Sequence, residues 1–126
     1  MWRRLLAEFT GTALLVSVVV GSGIAGQQLS PTDSGLTGCS AAVGVYIGAA
    51  YWYTSSTSFA NPAITVGRVI SDTFAGIAPG SVAGFIAAQV VGALIGVALV
   101  VALYPDAKTA YEVVVPHPTV SRPTQN

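Results

Sequence analysis

Three long apolar runs dominate the chain and predict its main helices. They cover residues 5–26, 36–53 and 82–104. A helix that crosses a bilayer needs about 20 predominantly apolar residues, so each run predicts a membrane-spanning helix. The stretches at 27–35 and 75–81 are rich in turn-forming residues and predict the breaks between them.

The segment from Asn61 to about residue 74 is too short and too polar to span a membrane, and it predicts a short helix instead. Asn61 is the expected N-cap, and Pro62 is the first helical residue, where the N–H that proline lacks is not needed. Irregular backbone at membrane depth is tolerated only where it is buried in protein or lines an aqueous cavity. We therefore expect a re-entrant half-helix. Its positive end would orient passing water and repel cations, and the small Ala63 would leave room for a solute.

The first apolar run allows two interpretations. Trp2 and two arginines precede it, as interfacial anchors precede a spanning helix. A charged start and a small-residue end also fit a secretory signal peptide. Glu8 argues against the signal peptide, because it interrupts the hydrophobic region near its beginning.

Small residues recur at helical spacing on the later runs and predict close helix packing, because they let backbones approach within lipid. They are Gly44 and Gly48 on the second run, and Gly84, Ala88, Gly92 and Gly96 on the third. The alternative is the general glycine enrichment of membrane helices.

Composition supports membrane residence. The chain of 126 residues is 52% hydrophobic and only 8% charged, whereas soluble domains carry about 25% charged residues. The formal net charge is zero, which argues against nucleic acid as a partner. The single cysteine, Cys39, excludes an intrachain disulfide and is expected to be buried or interfacial. No cofactor or metal is expected, and the spans lack the paired groups that an intramembrane enzyme would need.

Three segments together resemble one membrane-protein family. AEFTGT in the first run, SFANPAITVGR around the short helix, and AAQVVGALIG in the third run are similar to the aquaporin/glycerol-facilitator (major intrinsic protein) family, above all its actinobacterial-type bacterial members. Residues 1–30 resemble that family's first span, and residues 41–105 its fifth span, second Asn-Pro-Ala loop and sixth span. The resemblance implies a tetrameric, multi-pass plasma-membrane channel for water, glycerol and similar neutral solutes. It also implies that Asn61, Pro62 and Ala63 form one of two pore-constricting motifs.

The chain departs from the family pattern at two points. Many members have arginine directly after the second motif, in a selectivity filter, whereas this chain has Ile64 there and Arg68 four positions later. Arg68 is expected to be an anchor at the helix end rather than a filter residue. About half of the family's membrane segments are also missing, as after an internal deletion, although the remaining order is that of a single repeat. The alternative function is therefore a non-conducting fragment that only packs with other helices.

Glu8 has two interpretations. The resemblance implies that it faces the bundle interior and braces a loop amide or carbonyl, whereas its position within one turn of the interface would also let it reach water. The sequence as a whole predicts an all-α membrane protein with three transmembrane helices and one re-entrant half-helix. This domain covers residues 1–105, and the polar tail at 106–126 is predicted to be disordered.

Overall fold

The computed structural model describes residues 1–29, 33–53, 59–71, 73 and 76–105. At residues 27–29, 33–36 and 53 it describes the backbone but not the side chains. All regular structure in these ranges is helical. The helices are α1 (Trp2–Leu29), α2 (Asp33–Tyr53), α3 (Pro62–Ile70) and α4 (Val82–Leu103), and a single 3-10 turn, Pro79–Ser81, precedes α4. The chain is thus an all-α protein, as predicted. The predicted tail at 106–126 lies outside the described residues.

Two helical segments are long and apolar enough to cross a membrane. They are Trp2–Gly26 and Pro79–Leu103, judged by length and composition among the described residues. Both match predicted spans. The helix α2 has 21 residues, and it is not among these two segments. Its membrane crossing stays a prediction.

The helix α4 packs along α1 through its row of small residues. A Cβ atom at Gly92 would collide with the backbone carbonyl of Phe9, and one at Gly96 would lie 2.5 Å from the carbonyl oxygen of Ala13. Near the start of α4, a Cβ atom at Gly84 would lie 3.2 Å from a methyl carbon of Leu5. Ala88 is half-buried on the same face. Residue numbers rise in the same direction on both helices, so α1 and α4 run parallel.

The helix α2 packs antiparallel to α1 through a different kind of face. The Tyr46 hydroxyl donates to the Gly11 carbonyl oxygen at 2.7 Å. Nearer the other end, the half-buried Cys39 lies 3.3 Å from the hydroxyl oxygen of Ser22. Ala50, one turn beyond Tyr46, is buried. Polar contacts at Tyr46 and Cys39 therefore contribute to the packing of α2 on α1.

Gly44 and Gly48 do not take part in close packing within the described part of the chain. Both are exposed, and no atom lies within 4 Å of a Cβ placed at either. Each is two positions from Tyr46, which corresponds to roughly 200° around a helix. They lie on the far side of α2 because Tyr46 directs the near side toward α1.

The helix α3 is shorter than the predicted half-helix at 61 to about 74. It ends at Ile70, because Ser71 has extended backbone with φ −88° and ψ 113°. Just beyond the helix end, the Ser71 hydroxyl forms a 2.8 Å hydrogen bond with the Thr73 hydroxyl. Nine residues span only about 13 Å, well below the roughly 30 Å of a bilayer core. The helix α3 packs on α4.

Candidate functional site

The N-terminus of α3 is capped by Asn61. Asn61 has extended backbone (φ −151°, ψ 115°), and its side-chain oxygen accepts hydrogen bonds from the N–H of Ala63 at 2.9 Å and of Ile64 at 3.4 Å. Pro62 is the first helical residue, as the sequence predicts. All four residues are exposed. The capped end of α3 is therefore exposed and polar, with the Asn61 side-chain oxygen hydrogen-bonded across the first turn.

Glu8 lies behind this end of the helix, completely buried. One carboxylate oxygen accepts from the N–H of Phe59 at 3.0 Å, and the other accepts from the N–H of Ala60 at 3.0 Å. The second oxygen also accepts from the Gln89 side-chain amide at 2.8 Å. Glu8 therefore faces the interior of the helix bundle and does not reach water at the interface. Its side chain holds the loop directly before Asn61.

Gln89 and Thr65 complete a buried polar network with Glu8. The Gln89 amide also donates to the Thr65 hydroxyl at 2.9 Å, and that hydroxyl donates to the Asn61 backbone carbonyl at 3.0 Å. Thr65 and Gln89 are both buried. The network joins α1, α3 and α4, so three helices together determine where α3 begins.

Sequence reasoning did not single out Gln89 or Thr65. A signal was available for Gln89, because polar side chains inside apolar runs usually face the interior of a helix bundle. Thr65 follows the N-cap by four positions, which places its hydroxyl within reach of the Asn61 carbonyl. The Gln89 side-chain oxygen is buried and has no hydrogen-bond partner among the residues that the structure describes.

Ala60 has a left-handed backbone, with φ 49°, and it is the non-glycine residue with positive φ among those described. Such a conformation is uncommon for a residue with a Cβ atom. The peptide bond between Phe59 and Ala60 is trans, so its C=O points opposite to its N–H. Because that N–H donates to Glu8, the Phe59 carbonyl oxygen points away from Glu8. The loop thus presents an acceptor on the side opposite the network.

Arg68 lies in the last turn of α3, about two turns from Asn61. Its guanidinium carbon is 3.9 Å from the centroid of the Phe59 ring. The Phe59 ring in turn packs against Phe85 of α4, with centroids 6.3 Å apart and planes tilted by 57°. Arg68 is therefore near the helix end and over an aromatic ring, whereas the exposed Ile64 lies in the first turn with Asn61.

Metal ligands do not gather at this site. Within the portion of the chain that the structure describes, no three His, Cys, Asp or Glu side chains lie close enough to hold a metal ion together. The groups that the site offers are hydrogen-bond donors and acceptors: the amide N–H groups of Asn61, whose side-chain oxygen is used in the cap, and the Phe59 carbonyl.

Comparison with known proteins places these features in a family. The family model described as "Major intrinsic protein" matches residues 1–125. The aquaglyceroporin AqpS of Rhizobium meliloti (strain 1021) is 54% identical over 57 residues, which cover 45% of this chain and 24% of that protein. Two aquaporins of Laccaria bicolor are 35% identical over 113 residues and 36% identical over 115 residues. Each match covers 87% of this chain and 41% of the relative.

The chain thus spans about two fifths of the length of the two Laccaria relatives and about a quarter of the Rhizobium one. No solved structure matches it. The narrower likeness to actinobacterial-type members stays a prediction. The match over nearly the entire chain shows that this protein belongs to the major intrinsic protein family, whose aquaporins are channels and not enzymes.

Proposed function

We propose that this chain forms part of the wall of a membrane channel that passes water or a small neutral solute such as glycerol. The observation that carries the proposal is the exposed, capped N-terminus of α3, held from behind by the buried Glu8. A short helix whose first turn is fixed and open on one side is a suitable recognition element for a polar molecule. The names of the relatives, aquaporin and aquaglyceroporin, point to the same class of solute.

The chemistry of the site favours neutral solutes. Asn61 uses its side-chain oxygen for capping, so its amide N–H groups are the part that can donate to a passing oxygen. The Phe59 carbonyl supplies an acceptor, and the exposed Ile64 supplies an apolar surface. The partial positive charge at the start of α3 repels cations, protons included. A hydroxyl-bearing solute can exchange hydrogen bonds here without carrying charge past the helix end.

The direction of the helices supports three membrane crossings. The helices α1 and α4 run parallel, so if both cross the membrane, the chain has to return between them. The helix α2 is antiparallel to α1 and has 21 residues, and it is the segment suited to return. Its last turn exposes Tyr51 and Trp52, residues that favour the membrane–water interface. The helix α3 then lies part-way into the membrane, on the side of the membrane where α4 begins. This arrangement is a multi-pass protein, which we place in the plasma membrane.

The described part of the chain leaves the outer side of α3 uncovered. Ile64, Val66 and Ile70 are 45%, 48% and 83% exposed, and a pore needs a wall opposite them. We propose that further protein completes that wall, in a homo-oligomer such as the tetramer that the family resemblance implies. Lipid covers the remaining apolar faces.

A swelling assay tests the proposed function. The protein is reconstituted into proteoliposomes, and water and glycerol entry are followed by stopped-flow light scattering. We expect flux above that of empty liposomes, and we expect Asn61→Leu to abolish it, because Leu removes the cap and the amide donors. Val101→Leu, which places the same side chain at an exposed site on α4, is the control and should leave both flux and insertion unchanged. Full flux in Asn61→Leu would show that Asn61 does not line the pore.

The alternative is a non-conducting membrane protein that only packs with other helices. It is favoured by one observation, the coverage of only about two fifths of the Laccaria relatives. Correctly inserted protein that gives no flux above empty liposomes in any oligomeric state would support this alternative over the channel.

A further inference from the structure

The C-terminal end of α3 is closed by the chain that leads into α4. The last four carbonyl groups of a helix have no partner within that helix. One of them, the Arg68 carbonyl, accepts a hydrogen bond from the N–H of Ile77 at 3.2 Å. Ile77 lies directly before the residues that lead into the 3-10 turn Pro79–Ser81 and then into α4. A backbone hydrogen bond therefore ties the start of α4 to the end of α3.

Gly76 lies where this closure is tightest. Its N–H donates to the Thr73 carbonyl oxygen at 2.8 Å. A Cβ atom at residue 76 would collide with the Ser71 carbonyl oxygen, and it would lie 3.1 Å from the carbonyl oxygen of Thr73 and 3.5 Å from that of Arg68. These are backbone atoms, which cannot rotate aside as a side chain can. Gly76 does not have positive φ, so the closure requires glycine because of the missing space and not because of the backbone angle.

The helix α3 depends on restraints at its two ends. It has nine residues, and helices shorter than about 12 residues are marginal on their own. Its outer side is exposed at Ile64, Val66 and Ile70, so only one side of the helix packs on α4. The buried polar network holds the end at which α3 begins. The closure at Gly76 therefore decides whether the other end can tilt or slide along α4.

We propose that Gly76 is a positioning residue: it leaves room for the closure, and the closure fixes the depth and tilt of α3 and thereby the place of Asn61. A helix moves as a rigid rod over nine residues, so a displacement of its last turn is passed on to its first turn. Where the effect is read as solute flux, this inference rests on the proposed channel function. Where it is read as a distance between α3 and α4, it does not.

A distance between two spin labels reports the position of α3 directly. The labels are attached to Val66→Cys on α3 and Leu103→Cys on α4, both at exposed positions. The full chain carries Cys39→Ser and is measured in proteoliposomes. Because Thr65 contacts Gln89, the two labelled positions are separated by roughly 20 Å along α4. We expect one narrow distribution of distances in this background.

Gly76→Ala should broaden or shift that distribution by about 1.5 Å or more, which is one residue of helical rise. Gly80→Ala is the matched control, because no atom lies within 4 Å of a Cβ placed there. It adds the same methyl group to the same connection and should leave the distribution unchanged. An unchanged distribution in Gly76→Ala, or equal changes in both variants, would overturn the proposal.

Hydrogen–deuterium exchange identifies the bond through which Gly76 acts. Gly76→Ala should accelerate exchange of the Ile77 amide by about fivefold, as expected for the loss of one ordinary hydrogen bond. Ile77→Pro removes the same N–H without a Cβ atom at residue 76, so it should displace the labels in the same way, and it carries the test if Gly76→Ala does not insert. The double variant should move them no further than Ile77→Pro alone. Additive displacements would contradict the proposed closure.

Flux measurements connect the position of α3 to passage of a solute. If Asn61 moves with α3, Gly76→Ala should lower the ratio of glycerol flux to sorbitol flux severalfold, and Gly80→Ala should leave the ratio unchanged. A displaced helix with an unchanged ratio in a conducting protein would overturn the link between Gly76 and Asn61. Wild-type protein without flux would contradict the proposed channel function, and the label distances would still decide the role of Gly76.

Discussion

The guanidinium of Arg68 lies over the ring of Phe59, 3.9 Å from its centroid. Arg68 belongs to the last turn of α3, and Phe59 to the loop that leads into the first turn. The contact therefore closes the short helix onto its own entry loop. Glu8 holds the same loop residue through its N–H, so Phe59 is restrained at the backbone from α1 and at the ring from α3 and α4.

Arg68 is predicted to stabilise this unit through its charge on the aromatic face. Arg68→Gln should lower stability by about 1 kcal/mol, the range of a partly desolvated cation–π contact, and Arg68→Lys should lose less. Thermal unfolding in detergent measures the change. A double-mutant cycle with Phe59→Leu should give a clear coupling energy, whereas the exposed pair Arg3 and Trp2, 5.7 Å apart, should give a smaller one. Additive effects of the Arg68 and Phe59 substitutions would contradict the prediction.

Gly92 is predicted to be intolerant of any side chain. Even Gly92→Ala places a Cβ atom against the Phe9 carbonyl of α1, which is backbone and has to move for the helices to pack. We expect a loss of about 1–3 kcal/mol, as for other overpacked sites, measured by thermal unfolding in detergent. Gly44→Ala is the matched control, because the same substitution there meets open space and improves helix propensity. Similar melting of the two variants would mean that α1 and α4 do not approach as closely as the structure has them.

Gln89 is predicted to support the site through its amide donor. Gln89→Met keeps the length of the side chain but removes the hydrogen bonds to Glu8 and Thr65. Leaving these buried groups short of a partner should cost about 1–3 kcal/mol and should reduce flux relative to inserted protein. Val90→Met, at the neighbouring exposed position, is the control and should change neither the stability nor the flux. A fully stable and conducting Gln89→Met variant would show that the network is held by Glu8 and Thr65 without Gln89.

The three-crossing arrangement predicts the sides of two loops. Single cysteines are introduced by Ser34→Cys in the first turn of α2 and by Gly80→Cys in the turn before α4, both in a Cys39→Ser background. A membrane-impermeant maleimide should label them from opposite sides. Arg3 and Arg4 at the start of α1 favour the cytoplasm for that end, which places residue 80 inside and residue 34 outside. Labelling of both from one side would contradict the return of the chain through α2.

Local signals in the sequence were sufficient to predict the long helices and the residue at which α3 begins. The apolar runs are long enough to predict α1 and α4, because in lipid the backbone has to satisfy its own hydrogen bonds and a helix does so within one segment. Asn61 followed by Pro62 predicts an N-cap, because capping depends on side chains one to three residues away. The family itself was recognisable from three short segments.

Contacts between residues far apart in the sequence determine which helix faces are buried and how the loop before α3 is held. Gly44 and Gly48 have the same spacing as Gly92 and Gly96, yet only the second pair is buried, because burial depends on which face a neighbouring helix covers. The end of α3 at Ile70 depends on a local turn that the apolar pattern does not encode. The positive φ of Ala60 runs against the preference of alanine, and the N–H of that residue donates to Glu8, which lies 52 positions away in the chain. Sequence spacing describes neighbours along a helix, whereas the environment of Glu8, Ala60 and Gln89 is made by three helices that meet only in the folded protein.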